Sequence, residues 1–89
     1  DYEQAEQLAT EVLRETGASS GVHMLLGNIY TRTGRNTEAA KMYQRVIELD
    51  PQYTEAYNNL GIAYRHIGEL DKALEAFHKA YRLSPERAA

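Results

Sequence analysis

Cysteine is missing from all 89 residues, which excludes disulfides, thiolate chemistry and cysteine-ligated zinc. That absence leaves the compartment open, because cytosolic and periplasmic proteins both can lack the residue. No apolar run approaches the roughly 20 residues needed to cross a bilayer, so membrane insertion is not expected, and no signal peptide is visible. A basic excess is missing too. Ten Lys and Arg stand against thirteen Asp and Glu, for a formal charge of −3. The electrostatic footprint of a nucleic-acid binder, or of a protein held on an anionic membrane, is therefore absent. The sequence has no starting Met, and its first residue already sits in a helical pattern. It is expected to be a piece of a longer protein, with any targeting signal elsewhere.

What remains is a helix-forming chain. Hydrophobic residues make up 43%, enough to fold one small domain near the size where a lone core is only marginally stabilising. Ala5, Leu8, Ala9, Val12 and Leu13 follow the i, i+3, i+4 spacing of one helix face over residues 1–16. Tyr2 widens that stripe and Gly17 stops the helix. Ser19 and Ser20 are N-cap candidates for a helix over 20–33 that buries His23, Leu26, Gly27 and Tyr30. After Gly34, a helix over 36–49 buries Ala39, Met42, Tyr43, Val46 and Leu49, and Asp50-Pro51 ends it. Helices over 54–67 and 70–83 repeat the pair, closed by Ser84-Pro85. The remaining Glu86–Ala89 reads as the torn start of a further helix. Short loops between such helices make sequential neighbours antiparallel.

The organising feature is a 34-residue repeat. Tyr57, Leu60, Gly61, Tyr64, Gly68, Ala73, Phe77, Ala80 and Pro85 recur one period earlier as His23, Leu26, Gly27, Tyr30, Gly34, Ala39, Tyr43, Val46 and Pro51. A second shift back keeps only Ala5, Ala9, Val12 and Gly17. The domain then divides as the second half of a repeat (1–19) and two full repeats (20–53 and 54–87). Gly27 and Gly61 lie inside helices, where glycine costs about 1 kcal/mol relative to alanine. Close approach of the partner helix is the expected compensation, with Ala39 or Ala73 opposite and the Tyr43 or Phe77 ring filling the gap. The tyrosines are read as core.

This order of a large residue, Leu-Gly, Tyr, Ala, an aromatic, Ala and Pro resembles the tetratricopeptide repeat. The third unit fits throughout, with Tyr57 at the large position. The second departs at His23 and Val46, and the first at Ala9 and Gly17. The resemblance implies an all-α fold, with helix-turn-helix pairs stacked in a right-handed superhelix. The first helix of each pair would line a concave face that holds a peptide or partner segment.

On the first helices, the side opposite the buried stripe carries Gly21, Leu25, Asn28 and Arg32, then Glu55, Asn59, Ile62 and His66, with Asn58 and Arg65 on the flank. Amides can pair with the backbone of an extended peptide while apolar residues take alternate side chains. Leu25, Asn28, Arg32, Asn58, Asn59, Ile62, Arg65 and His66 are therefore the candidate binding residues. A rival reading packs Met24 and Leu25 against the neighbouring unit. Family members that grip a C-terminal carboxylate use two such asparagines with basic partners. Asn28 and Asn59 match the asparagines, but Met24 and Glu55 stand one turn before them, so the charge such a clamp needs is not supplied. Arg32, Arg65 and His66 instead favour an acidic stretch of ligand.

Enzyme chemistry finds no foothold. Ser19 and Ser20 lack an elbow motif, and no glycine-rich phosphate loop precedes a helix. Asp71, Glu75 and His78 share a helix face beside Lys79 and Arg82, which reads as a charged surface rather than a metal site. No cofactor is implied. At the ends, Leu70, Leu74 and Tyr81 stand where Ala40 and Ile47 are covered by a following unit, and Ala5, Leu8, Ala9 and Val12 lack the first helix of their own pair. Self-association through an uncovered end, giving a homo-oligomer, is expected. The leading expectation is a non-catalytic module for a protein or peptide partner. The others are a structural or self-assembling segment of a longer superhelix and a regulatory appendage of an enzyme.

Overall fold

Five helices account for nearly all of the chain in the computed structural model, which describes residues 1–17 and 19–85. They are α1 (Tyr2–Thr16), α2 (Ser20–Arg32), α3 (Asn36–Leu49), α4 (Thr54–His66) and α5 (Leu70–Leu83), with no strand among the described residues. The expected bounds hold to within one residue. Asp1 is the N-cap of α1, its carboxylate accepting from Glu3 N at 2.9 Å. Ser19 caps α2 by accepting from Val22 N at 3.4 Å. Thr33 and Ile67 are C-caps that end α2 and α4 one residue earlier than the pattern predicts. Gly34 and Gly68 then take φ of 79° and 84°, a region other residues rarely enter. Residues 86–89, where a further helix is expected to begin, lie outside the described part.

Each helix packs on the next in sequence, and α2 with α3 and α4 with α5 form the closest pairs. The interior glycines explain that closeness. A Cβ on Gly27 would lie 2.5 Å from Tyr43 Cε1, and one on Gly61 would lie 2.7 Å from Phe77 Cε1. Both distances are shorter than van der Waals contact, so the aromatic ring occupies the space a side chain would need. Between pairs, Ala40 of α3 meets α4 through Ala56 and Ala63, all buried in one core cluster with Met24 and Leu60. His23 is buried as expected, its Nδ1 donating to the Ser19 carbonyl at 2.8 Å.

Three packing expectations need correction. Leu49 is 40% exposed, because it is the last residue of α3, a turn beyond the fully covered Val46. Met42 is half-buried rather than core. Tyr30 is half-buried rather than core, because its hydroxyl reaches Glu6 on α1, where Ala9 is buried as α2 packs against that helix. At the opposite seam Met24 enters the core while Leu25 remains 49% exposed, so the rival packing reading holds for Met24 alone.

A polar cluster ties the first half-unit to the rest. Tyr30 Oη donates to Glu6 at 2.9 Å, and Arg35 pairs with Glu6 at 3.0 Å and Glu38 at 3.2 Å. The Arg35 guanidinium lies 4.4 Å from the centre of the Tyr30 ring. Burial, and next the Glu6 hydrogen bond, raise the Tyr30 pKa above its ordinary value.

Candidate functional site

Among the depressions bordered by the first helices, two lie in matching repeat registers. The larger, about 310 Å³, is bounded by Asn28, Thr31, Arg32, Tyr43, Asn59 and Ile62. The other, about 290 Å³, is bounded by Asn58, Ile62, Arg65 and Phe77. Ile62 belongs to both, so they form one path from α2 across α4. Asn28, Thr31 and Tyr43 recur 34 residues later as Ile62, Arg65 and Phe77. The two depressions are thus equivalent in register and opposite in character.

The first has a polar floor. Tyr43 is 1% exposed, yet its hydroxyl donates to Asn28 Oδ1 at 2.7 Å and lies 3.1 Å from Thr31 Oγ1. Thr31 in turn donates to the Gly27 carbonyl at 2.9 Å. Each group here follows from helix geometry: Asn28 and Thr31 are one turn apart on α2, and Gly27 lets the Tyr43 ring come close enough for its hydroxyl to reach them. Burial raises the Tyr43 pKa, against a lowering by the Thr31 hydrogen bond. The phenol is therefore a fixed neutral donor at ordinary pH.

Asn59 Nδ2 donates to the same Asn28 Oδ1 at 3.4 Å, a long bond that links successive first helices. With Oδ1 used twice, the Asn28 amide nitrogen takes no part in any hydrogen bond found among the described residues. The second depression has no such network; its wall is the half-buried Phe77 ring beside Ile62, with Asn58 and Arg65 at the edge. A path with amides at one end and an apolar recess at the other suits a chain whose backbone and side chains are both read.

Six of the eight sequence-predicted residues border this path: Asn28, Arg32, Asn58, Asn59, Ile62 and Arg65. Leu25 and His66 do not; they are exposed beyond either depression. The sequence reading missed Thr31, Tyr43 and Phe77. A signal existed for the first two, because Thr31 lies one turn after Asn28 and the tyrosine of one unit becomes phenylalanine in the next.

The fold agrees with what the chain is similar to. The family model described as "TPR repeat" matches residues 27–68, and that described as "Tetratricopeptide repeat" matches residues 54–87. The chain belongs to the tetratricopeptide repeat family. Tetratricopeptide repeat protein 6 of Homo sapiens is 38% identical over 60 residues, covering 67% of this chain and 12% of that protein. The Hsp70-Hsp90 organizing protein of Triticum aestivum is 27% identical over 84 residues, covering 94% of this chain and 14% of that protein. Among solved structures, MamA from Desulfovibrio magneticus RS-1 superposes with a TM-score of 0.91 at 28% identity, covering 98% of this chain and 49% of the other. The chain thus spans a small part of these curated relatives and about half of that solved one. Membership places it among protein–protein interaction repeats in an all-α superhelix. No helix among the described residues is long and apolar enough to cross a membrane.

Proposed function

We propose that this chain is a non-catalytic module that holds an extended peptide segment of a partner protein along α2 and α4. The observation that carries this reading is the Asn28–Asn59 pair, joined across two repeats above the Tyr43 hydroxyl. Its amides are pre-positioned, so little side-chain freedom is lost when a peptide backbone replaces water. Ile62 and Phe77 supply an apolar recess one register further on.

Charge narrows the ligand. In a chain of net −3, α2 and α4 carry Arg32, Arg65 and His66 against one acid, Glu55. An acidic segment with an apolar side chain at its Ile62 end fits that balance, and electrostatic steering would favour its capture at low salt. No carboxylate clamp is included, since Met24 is buried and Glu55 has the wrong sign. The relative named as an Hsp70-Hsp90 organizing protein is consistent with a module that joins proteins. Fluorescence anisotropy with a labelled acidic–apolar peptide tests the reading. Binding should weaken at least tenfold in Asn28→Ala with Asn59→Ala, equivalent to about 1.4 kcal/mol, while circular dichroism stays unchanged. Unaltered affinity in that variant excludes the asparagine path as the site.

A further inference from the structure

We propose that the outer face of α5 is an interface for a second copy of this chain, docked antiparallel about a two-fold axis. This face adjoins the asparagine path at Phe77, which lies one turn from both Leu74 and Tyr81 on α5. Leu70, Leu74 and Tyr81 stand 62%, 69% and 56% exposed, at i, i+4 and i+11, and so form one stripe along α5.

The stripe departs from the seat that a repeat helix uses elsewhere in this molecule. Leu74 and Tyr81 occupy the register positions of Ala40 and Ile47. Ala40 is buried where α4 settles on α3, against alanines 56 and 63 that are fully buried. A leucine in that place holds a helix further off.

Its charges are self-complementary. Asp71 follows Leu70 and Arg82 follows Tyr81, three helical turns apart, so both lie on one flank at opposite ends. A two-fold axis lying in the contact plane reverses the helix and keeps the flank. Asp71 of each copy then meets Arg82 of the other, and the same axis, passing between Ala76 and Phe77, sets Glu75 opposite His78. The exposed apolar residues at the other end of the molecule, Tyr2, Leu8 and Val12 on α1, share that helix with Glu11 and Glu15. That helix offers Asp71 and Glu75 a single base, Arg14, among the acids Glu3, Glu6, Glu11 and Glu15, and pairing α1 with α5 would give open chains rather than a closed pair.

Sedimentation velocity of the 89-residue chain at tens of micromolar should show a dimer. Leu74→Glu should leave a monomer with the helical circular dichroism signal retained. Asp71→Arg and Arg82→Asp should each weaken the dimer by roughly tenfold, whereas an equimolar mixture of the two should dimerise like the parent chain. That recovery distinguishes the two-fold arrangement, because only the mixed pair restores both ion pairs. A monomer at the highest soluble concentration overturns the proposal. So does a dimer indifferent to Leu74→Glu, a ladder of larger species, or a mixture no better than either variant alone.

Discussion

The two complete repeats share a backbone frame and differ in what fills it. Around Gly27 the packing ring is Tyr43, almost fully buried, with its hydroxyl held by Asn28 and Thr31. Around Gly61 it is Phe77, half-buried, beside Ile62 and Arg65. The first unit is covered by α4 on one side and α1 on the other, while nothing described covers the outer face of α5. The same sequence frame therefore yields a hydrogen-bonded polar depression in one unit and an apolar one in the next. Coverage by neighbours, not the frame alone, decides how much each position contributes.

Ring deletion should break this comparison most visibly. Tyr43→Ala removes a fully packed ring and should cost about 3–4 kcal/mol in urea unfolding. Phe77→Ala, at the open end, should cost about half as much. Equal losses would mean that the two units are equivalently packed. Next in size, Gly27→Ala should destabilise by about 2 kcal/mol, because the Tyr43 ring has nowhere to move, while alanine's better helix propensity returns up to about 1 kcal/mol of the strain. Gly61→Ala should be milder, as the Phe77 ring can shift outward.

Alkaline pH separates the units in another way. A tyrosine whose folded pKa exceeds its unfolded value stabilises the fold fully below the unfolded pKa and loses that contribution as pH rises through the folded one. Tyr43 and Tyr30 are both raised from 10.0, so melting temperature should stay level up to about pH 10 and fall above it. Tyr43→Phe should flatten part of that fall. An unchanged profile in Tyr43→Phe would deny the buried phenol a role. The smallest expected effect belongs to the asparagines. Asn28→Ala should cost about 1 kcal/mol, since Thr31 remains beside the Tyr43 hydroxyl. Asn59→Ala, which loses a single long hydrogen bond near the surface, should cost a few tenths at most.

Much of this architecture was legible in the residues. The 34-residue period located every helix, and the glycine–aromatic pairing followed from the cost of glycine inside a helix. Asn28, Asn59 and Ile62 were placed on the exposed side by helical spacing alone. Coverage across units was harder to read. Periodicity within one helix cannot tell that Met24 enters the core while adjacent Leu25 does not, or that Leu49 lies beyond the turn that α3 buries. Nor did it show that the Tyr43 hydroxyl forms the floor of the site, because a ring assigned to the core carries a polar end whose direction depends on the neighbouring helix.

The central claim, that a polar register and an apolar register lie end to end along one peptide path, is tested most directly by titration calorimetry. The ligand is an acidic extended peptide with one leucine, compared with the same peptide carrying alanine in that place. Asn28→Ala with Asn59→Ala should weaken both peptides equally, whereas Ile62→Ala should weaken the leucine peptide and leave the alanine peptide nearly unchanged. If Ile62→Ala affects both peptides alike, or if the asparagine pair discriminates between them, the two registers do not divide the work and the account is wrong.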